Sequence, residues 1–289
     1  MWLPLALLTA LFESGKDIFG KKGLLAGADP YVMAWAWRLL ALPFLLPLLL
    51  LPQALPEQLG PAFWPALLAG SVLNILAAIL YMKAISQSDL SLCVPLVTFT
   101  PLFLLLTSPL LLAEVPSPGG ILGVVLIVSG AYLLNLSRLS SGWREPIRAL
   151  FHAPGARLML GVALIWSLTA NIDKIGLQNS SPLLWAAAIN AAIALGMLPL
   201  VAMRRRQVEA RYCLPWRWLV LVGLCGGLTT LCQMLAISLT QVPYVIAVKR
   251  LSILFTALAG LLLLREQGLR ERLAGTLVML AGVILLALA

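Results

Sequence analysis

Predominantly apolar runs recur along this chain at lengths that match a bilayer rather than a protein core. Ten can be drawn, at roughly 3–20, 30–51, 61–82, 90–112, 118–137, 157–178, 183–203, 215–238, 242–264 and 272–288, each bounded by Pro, Gly or charge. Each can cross ~30 Å of hydrocarbon at ~1.5 Å per residue. In hydrocarbon every backbone N–H and C=O must be satisfied within its own segment, so such runs fold as helices. The charge content agrees. Only 11% of residues are charged, against about 25% in a soluble domain, too few to build a polar surface. The expected fold is an all-α integral membrane protein of ten transmembrane helices. The first run lacks a basic leader, and Glu13, Lys16 and Asp17 interrupt it, so it reads as a retained helix rather than a signal peptide.

The two halves repeat. At an offset of 152 residues Met82 meets Met234, Ala84 meets Ala236, and Leu102-Phe103 meets Leu254-Phe255. Leu112, Glu114, Gly123 and Gly130 meet Leu264, Glu266, Gly275 and Gly282, and Pro30 meets Pro182. Matching Glu and Gly at one constant offset is a duplication signal that apolar composition alone does not produce. The expected organisation is a first five-helix repeat over 1–137, a basic linker over 138–156 and a second five-helix repeat over 157–289. An odd number of spans per repeat turns the second upside down. Inverted repeats are a recurring plan of secondary transporters, with the solute held between the halves.

The net charge of +9 follows the membrane charge rule rather than a nucleic-acid footprint. Most Lys and Arg lie in or beside the odd-numbered links between spans, including Lys21, Lys22, Arg144, Arg148 and Arg204–Arg206. Lys174 is the exception on the even-numbered side. The odd links are therefore expected in the cytoplasm, with both termini non-cytoplasmic, in a cell (inner) membrane. Cys93, Cys213, Cys225 and Cys232 have no metal spacing, and neither a metal nor a cofactor is expected.

Two helix-end strings, Leu-Ala-Glu at 112–114 and Leu-Arg-Glu at 264–266, each precede a Gly-x6-Gly helix, Gly123/Gly130 and Gly275/Gly282. With the duplicated five-helix plan, the whole chain resembles a ten-helix, EamA-type permease of the drug/metabolite transporter superfamily. That resemblance implies a carrier that uses no ATP, with a central cavity lined mainly by the first, third, fourth, sixth, eighth and ninth helices. It does not fix the substrate. Relatives of this type usually keep both termini in the cytoplasm, and the charge distribution here points the other way.

Ionisable groups deep in a membrane are costly unless paired or hydrated, which makes them candidates for function. Arg38 falls within the second span, Lys249 and Arg250 within the ninth, and Glu13, Lys16 and Asp17 within the first. The positive surplus suits an anionic solute, with Arg offering a planar fork to carboxylate or phosphate. Val248-Lys249-Arg250 also resembles a string in the ninth helix of plastid sugar-phosphate transporters, where the resemblance implies phosphate binding. The repeat counterparts are Val97 and Thr98, so the charge is not symmetric. The alternatives are structural pairing of these bases with Glu13 or Asp17, or snorkelling to an interface. Glu13, with Asp17, is a candidate for proton coupling, as in small multidrug relatives; ion pairing with Lys16 is the competing reading. Asn74, Thr98, Asn171, Gln233 and Ser252 are candidate polar contacts to the solute, with interhelical hydrogen bonding as the alternative. Asp173 beside Lys174 reads as a helix-end pair.

The function expected is secondary transport of a small organic anion, phosphorylated or carboxylated, by alternating access. The alternative carrier is a proton-coupled exporter of amino-acid-like or lipophilic compounds. Outside transport stand an intramembrane lipid enzyme, for which no His–Asp, Cys–His or metal set appears in the spans, and a non-transporting sensor or scaffold. The expected partners are a small-molecule substrate and membrane lipid, without nucleic acid, in a monomer or a homodimer.

Overall fold

The structure is a computed structural model that describes residues 1–52, 54–87, 94–136, 154–207, 215–256 and 269–288. Every regular element among them is helical. The elements are α1 (Trp2–Leu25), α2 (Pro30–Leu45) running on into a 3-10 turn (Leu46–Leu50), and α3 (Phe63–Gln87). A 3-10 segment (Val94–Phe99) leads into α4 (Thr100–Leu112), followed by α5 (Pro118–Leu136). The second half holds α6 (Pro154–Gln178), α7 (Pro182–Gln207), α8 (Trp216–Leu239), α9 (Val242–Lys249) and α10 (Leu269–Leu288). Five of these stretches are both long and apolar enough to span a bilayer as continuous helices: Pro30–Leu50, Phe63–Ala84, Pro154–Gln178, Pro182–Met203 and Trp216–Leu239. α1 carries charges at its middle, and both fourth helices of the repeats are interrupted. α6 begins at Pro154, inside the stretch expected to be linker, because proline is favoured at a first helical position. The rest of that stretch, with His152, lies outside the described residues.

Local chemistry sets the starts. Asp29 caps α2, accepting from Tyr31 N at 2.8 Å and Val32 N at 3.1 Å ahead of Pro30. Its repeat counterpart Ser181 caps α7, accepting from Leu184 N at 3.1 Å ahead of Pro182. Ser117 does the same for α5, accepting from Gly120 N at 3.0 Å.

The helices pack across the two halves rather than within them. α1 lies on α8 and α6 on α3, α4 touches α6 as α9 touches α1, and α5 lies along α10. Under exchange of the repeats each of these contacts becomes its partner or itself, the signature of an internal two-fold axis. Two contacts place that axis. Arg38 Nη1 donates to Asn190 Oδ1 at 3.2 Å, and these residues are repeat equivalents, 152 apart. At the α5–α10 crossing, Gly123 meets Gly282 and Gly130 meets Gly275 so closely that a Cβ on Gly130 would lie 2.5 Å from Gly275 O. The duplicated Gly-x6-Gly pairs thus bring two backbones together. Gly223, Gly226 and Gly227 serve α8 similarly against Leu40, Trp37 and Ala41 of α2.

Candidate functional site

Both fourth helices break at matching places. In the first half Pro101 has no N–H to offer Val97 O, and Thr100 Oγ1 donates to that carbonyl instead at 2.8 Å. In the second half no proline is involved. α9 ends at Lys249, and i→i+3 bonds from Arg250 N to Ala247 O and Leu251 N to Val248 O, both 2.9 Å, tighten the turn before helix resumes over 252–256. The two resumption points, Thr100 and Ser252, are 152 apart. A 3-10 break inside a span is a typical hinge. Lys249 and Arg250 sit at this break, and both side chains line the same cavity.

Beside the axis lies a cavity of about 160 Å³. α1 contributes Glu13 and Lys16, α2 Trp37 and Arg38, and α3 Asn74. Thr100 comes from α4, Trp166, Thr169 and Asp173 from α6, and Thr229, Thr230 and Gln233 from α8. Lys249 and Arg250 close it from the break after α9. The second helix of each repeat therefore also reaches the cavity, through Trp37, Arg38 and Ile189, because α2 and α7 meet at the axis.

Its charges are partly paired. Glu13 Oε1 accepts from Lys16 Nζ at 2.7 Å and lies 3.6 Å from Lys249 Nζ. Lys249 Nζ also donates to Gln233 Oε1 at 2.9 Å. Lys16 Nζ and the Arg38 guanidinium lie 4.1 and 4.3 Å from the Trp37 ring centre, within cation–π range. Asp173 Oδ1 accepts from the fully buried Trp185 Nε1 at 3.0 Å. Four basic and two acidic side chains line the cavity, a surplus of two positive charges. Among the described residues four buried side-chain atoms have no hydrogen-bond partner, and three belong to this lining: Glu13 Oε2, Thr229 Oγ1 and Arg250 Nε.

A model of the EamA-like transporter family matches residues 1–136 and again 153–288. The chain belongs to that family. The transporter is thus a multi-pass membrane protein of two EamA units. One solved crystal structure superposes on 99% of the chain and 97% of its own length, at a TM-score of 0.74 and 15% identity; at that identity the likeness shows the fold alone. No curated protein matches the transporter.

Of the candidate residues read from the sequence, Lys249, Arg250, Arg38, Glu13, Asn74 and Gln233 meet at the cavity. Thr98 and Ser252 are buried and do not line it. Asn171 is buried between α6 and α4, accepting from Ser108 Oγ at 2.7 Å and donating to Thr107 Oγ1 at 2.9 Å. Asp17 stands 3.6 Å from Lys16 Nζ with 52% of its side chain exposed, outside the lining. Asp173 and Lys174 do not form the helix-end pair expected. Successive helix positions diverge by about 100°, which turns Asp173 to the cavity and Lys174 to Glu114. Sequence reasoning missed Thr169, Asp173, Thr229 and Thr230 as polar lining residues. The only trace of Thr229 and Thr230 was a polar pair inside an apolar helix.

Proposed function

We propose that the transporter is a secondary carrier of a small organic anion, phosphorylated or carboxylated, working by alternating access between its inverted halves. The observation that carries this reading is Arg250. It stands at a helix break, faces a cavity with a surplus of two positive charges, and holds an Nε with no partner. A guanidinium in that position offers charge-assisted bonds to a carboxylate or phosphate. The α9 carbonyls at the break favour cations there and hold the Lys249–Arg250 pair in place. Glu13 serves as counter-ion to Lys16 and Lys249, which supports its ion-pairing role over proton coupling. The charge asymmetry of the links supports a cell membrane location with the odd links and the basic 138–156 segment in the cytoplasm.

The test is a ligand-dependent thermal-stability screen of detergent-purified protein, because a ligand selective for the native state raises its unfolding temperature. Phosphate monoesters and di- or hydroxycarboxylates are the probes, with neutral and cationic amphiphiles as comparators. A charge-assisted bond is worth about 1.5–3 kcal/mol, so Arg250→Gln should weaken the stabilising anion roughly 10- to 150-fold. Stabilisation of wild type and Arg250→Gln alike by neutral or cationic compounds, with none by anions, would sink the anion reading.

A further inference from the structure

At the face formed by the even-numbered links, a second cluster of charge lies apart from the cavity. α4 ends at Ala113, the only non-glycine described residue with a positive φ, 53°. That left-handed turn carries Glu114 across to the second half. Glu114 Oε1 is ion-paired with Lys174 Nζ at the end of α6. Its other oxygen, Oε2, accepts from Val242 N at 3.1 Å, capping α9 from another part of the chain. Lys174 Nζ also donates to Thr240 O at 2.8 Å, and Gln241 Nε2 to Val115 O at 3.2 Å. Ser117 N donates to Tyr244 OH at 3.0 Å, an approach that only glycine at 120 permits. The pair is largely withdrawn from solvent, with 12% and 14% of the two side chains exposed.

Two features tie this cluster to the cavity. Lys174 follows Asp173, which lines it. Glu114 pins the first residue of α9, the half-helix whose other end presents Lys249 and Arg250. Symmetry then separates fixed contacts from changeable ones. If the halves exchange conformations, a contact between repeat equivalents maps onto itself, so Arg38–Asn190 persists, as does the four-glycine crossing of α5 and α10. The Glu114–Lys174 contact maps instead onto a different pair, Glu266 and Lys22; Glu266 lies outside the described residues. Alternation is therefore free to make Glu114–Lys174 in one state and break it in the other.

We propose that Glu114 and Lys174 are the positioning pair of the transport cycle, locking α9 to α6 while the even-link face is closed and separating to open it. The proposal rests on the alternating-access reading but not on the identity of the solute. The test uses the full-length protein with its four native cysteines replaced, oriented in vesicles, and a reporter Thr230→Cys in the cavity. Labelling by a membrane-impermeant maleimide is timed from each face separately. Glu114→Gln or Lys174→Met should speed labelling from the even-link face at least tenfold and slow it from the other, because a two-state population is conserved. Lys174→Arg, which keeps the cation and its donors, should label as the parent does. A merely destabilised protein labels faster from both faces, and that result overturns the proposal, as does labelling unchanged by either substitution. Reporter labelling confined to one face under every condition, with the pair intact or broken, overturns alternating access itself.

Discussion

The crossing of α5 and α10 gives the sharpest test of the internal symmetry. Gly130→Ala puts a methyl carbon 2.5 Å from Gly275 O and 2.8 Å from Met279 N, both backbone atoms that cannot swing aside. Carbon contacts settle at about 3.5–4.0 Å, so the helices must part by roughly 1 Å. A gap of that size forfeits a quarter to a half of each contact's dispersion energy. For a Leu-sized set of contacts, worth on the order of 6 kcal/mol, the loss is about 1.5–3 kcal/mol, within the range seen for overpacked cores. Gly282→Ala, the repeat equivalent, meets Gly123 O at 2.7 Å and Ile127 N at 2.9 Å, and should lose a similar amount. Gly20, with no atom within 4 Å of its missing Cβ, is the control; Gly20→Ala should be neutral or gain up to about 1 kcal/mol in helix propensity. Reversible unfolding of purified protein in mixed micelles reads all three. Equal losses at 130 and 282 with none at 20 support the two-fold crossing. A silent Gly130→Ala, or a loss at 20 matching the other two, would refute the reasoning.

Ala113→Gly removes the left-handed penalty on a Cβ-bearing residue and should stabilise the protein by about 1–2 kcal/mol in the same unfolding assay. Ser181→Ala deletes the α7 cap and the hydroxyl that donates to Ala54 O, and should cost about 1–2 kcal/mol; a neutral result would show that the cap is not used. Trp185→Phe strips Asp173 of its hydrogen-bond donor and should cost about 1.5–3 kcal/mol. With Asp173→Asn the second loss should be smaller, and a double-mutant cycle with zero coupling would show that this bond contributes nothing.

Hydropathy and the 152-residue offset made the helical spans, the duplication and the repeated glycine pairs legible, because each depends on composition or spacing along one chain; that the glycine pairs cross one another was visible only in the fold. The cavity was legible where a polar or charged side chain stood out against an apolar background, at Glu13, Arg38, Asn74, Gln233, Lys249 and Arg250. Asp173 was hidden by its neighbour. A carboxylate beside a lysine suggests a local pair, and one dimension does not show that successive residues on a helix face different partners. Asn171 looked like a cavity residue for the opposite reason: its amide is polar and central in α6, but both of its partners come from α4. The break at Arg250 had no proline to announce it; it became visible only as 3-10 hydrogen bonds in the folded chain.

The residues that give the cavity its charge are those at which the two repeats disagree. Arg38 faces Asn190 across the axis, Lys249 and Arg250 correspond to Val97 and Thr98, and Glu13 corresponds to Ile165. Scaffold contacts follow the opposite rule, with glycine on glycine and a cap before Pro30 mirrored by a cap before Pro182. An inverted repeat needs equivalent halves to have two states of similar energy, yet equivalent halves would place equal charges on both sides of the axis. Four bases and two acids crowded symmetrically would repel more than they bind. Three of the four bases, Arg38, Lys249 and Arg250, come from α2 and the break after α9, while Lys16 lies beside Glu13 on α1 and Asp173 comes from α6, so the charge is asymmetric about an axis that the packing contacts respect. The symmetric part of the fold thus rests on small residues at helix crossings, and the asymmetric part on a few charged positions around the axis.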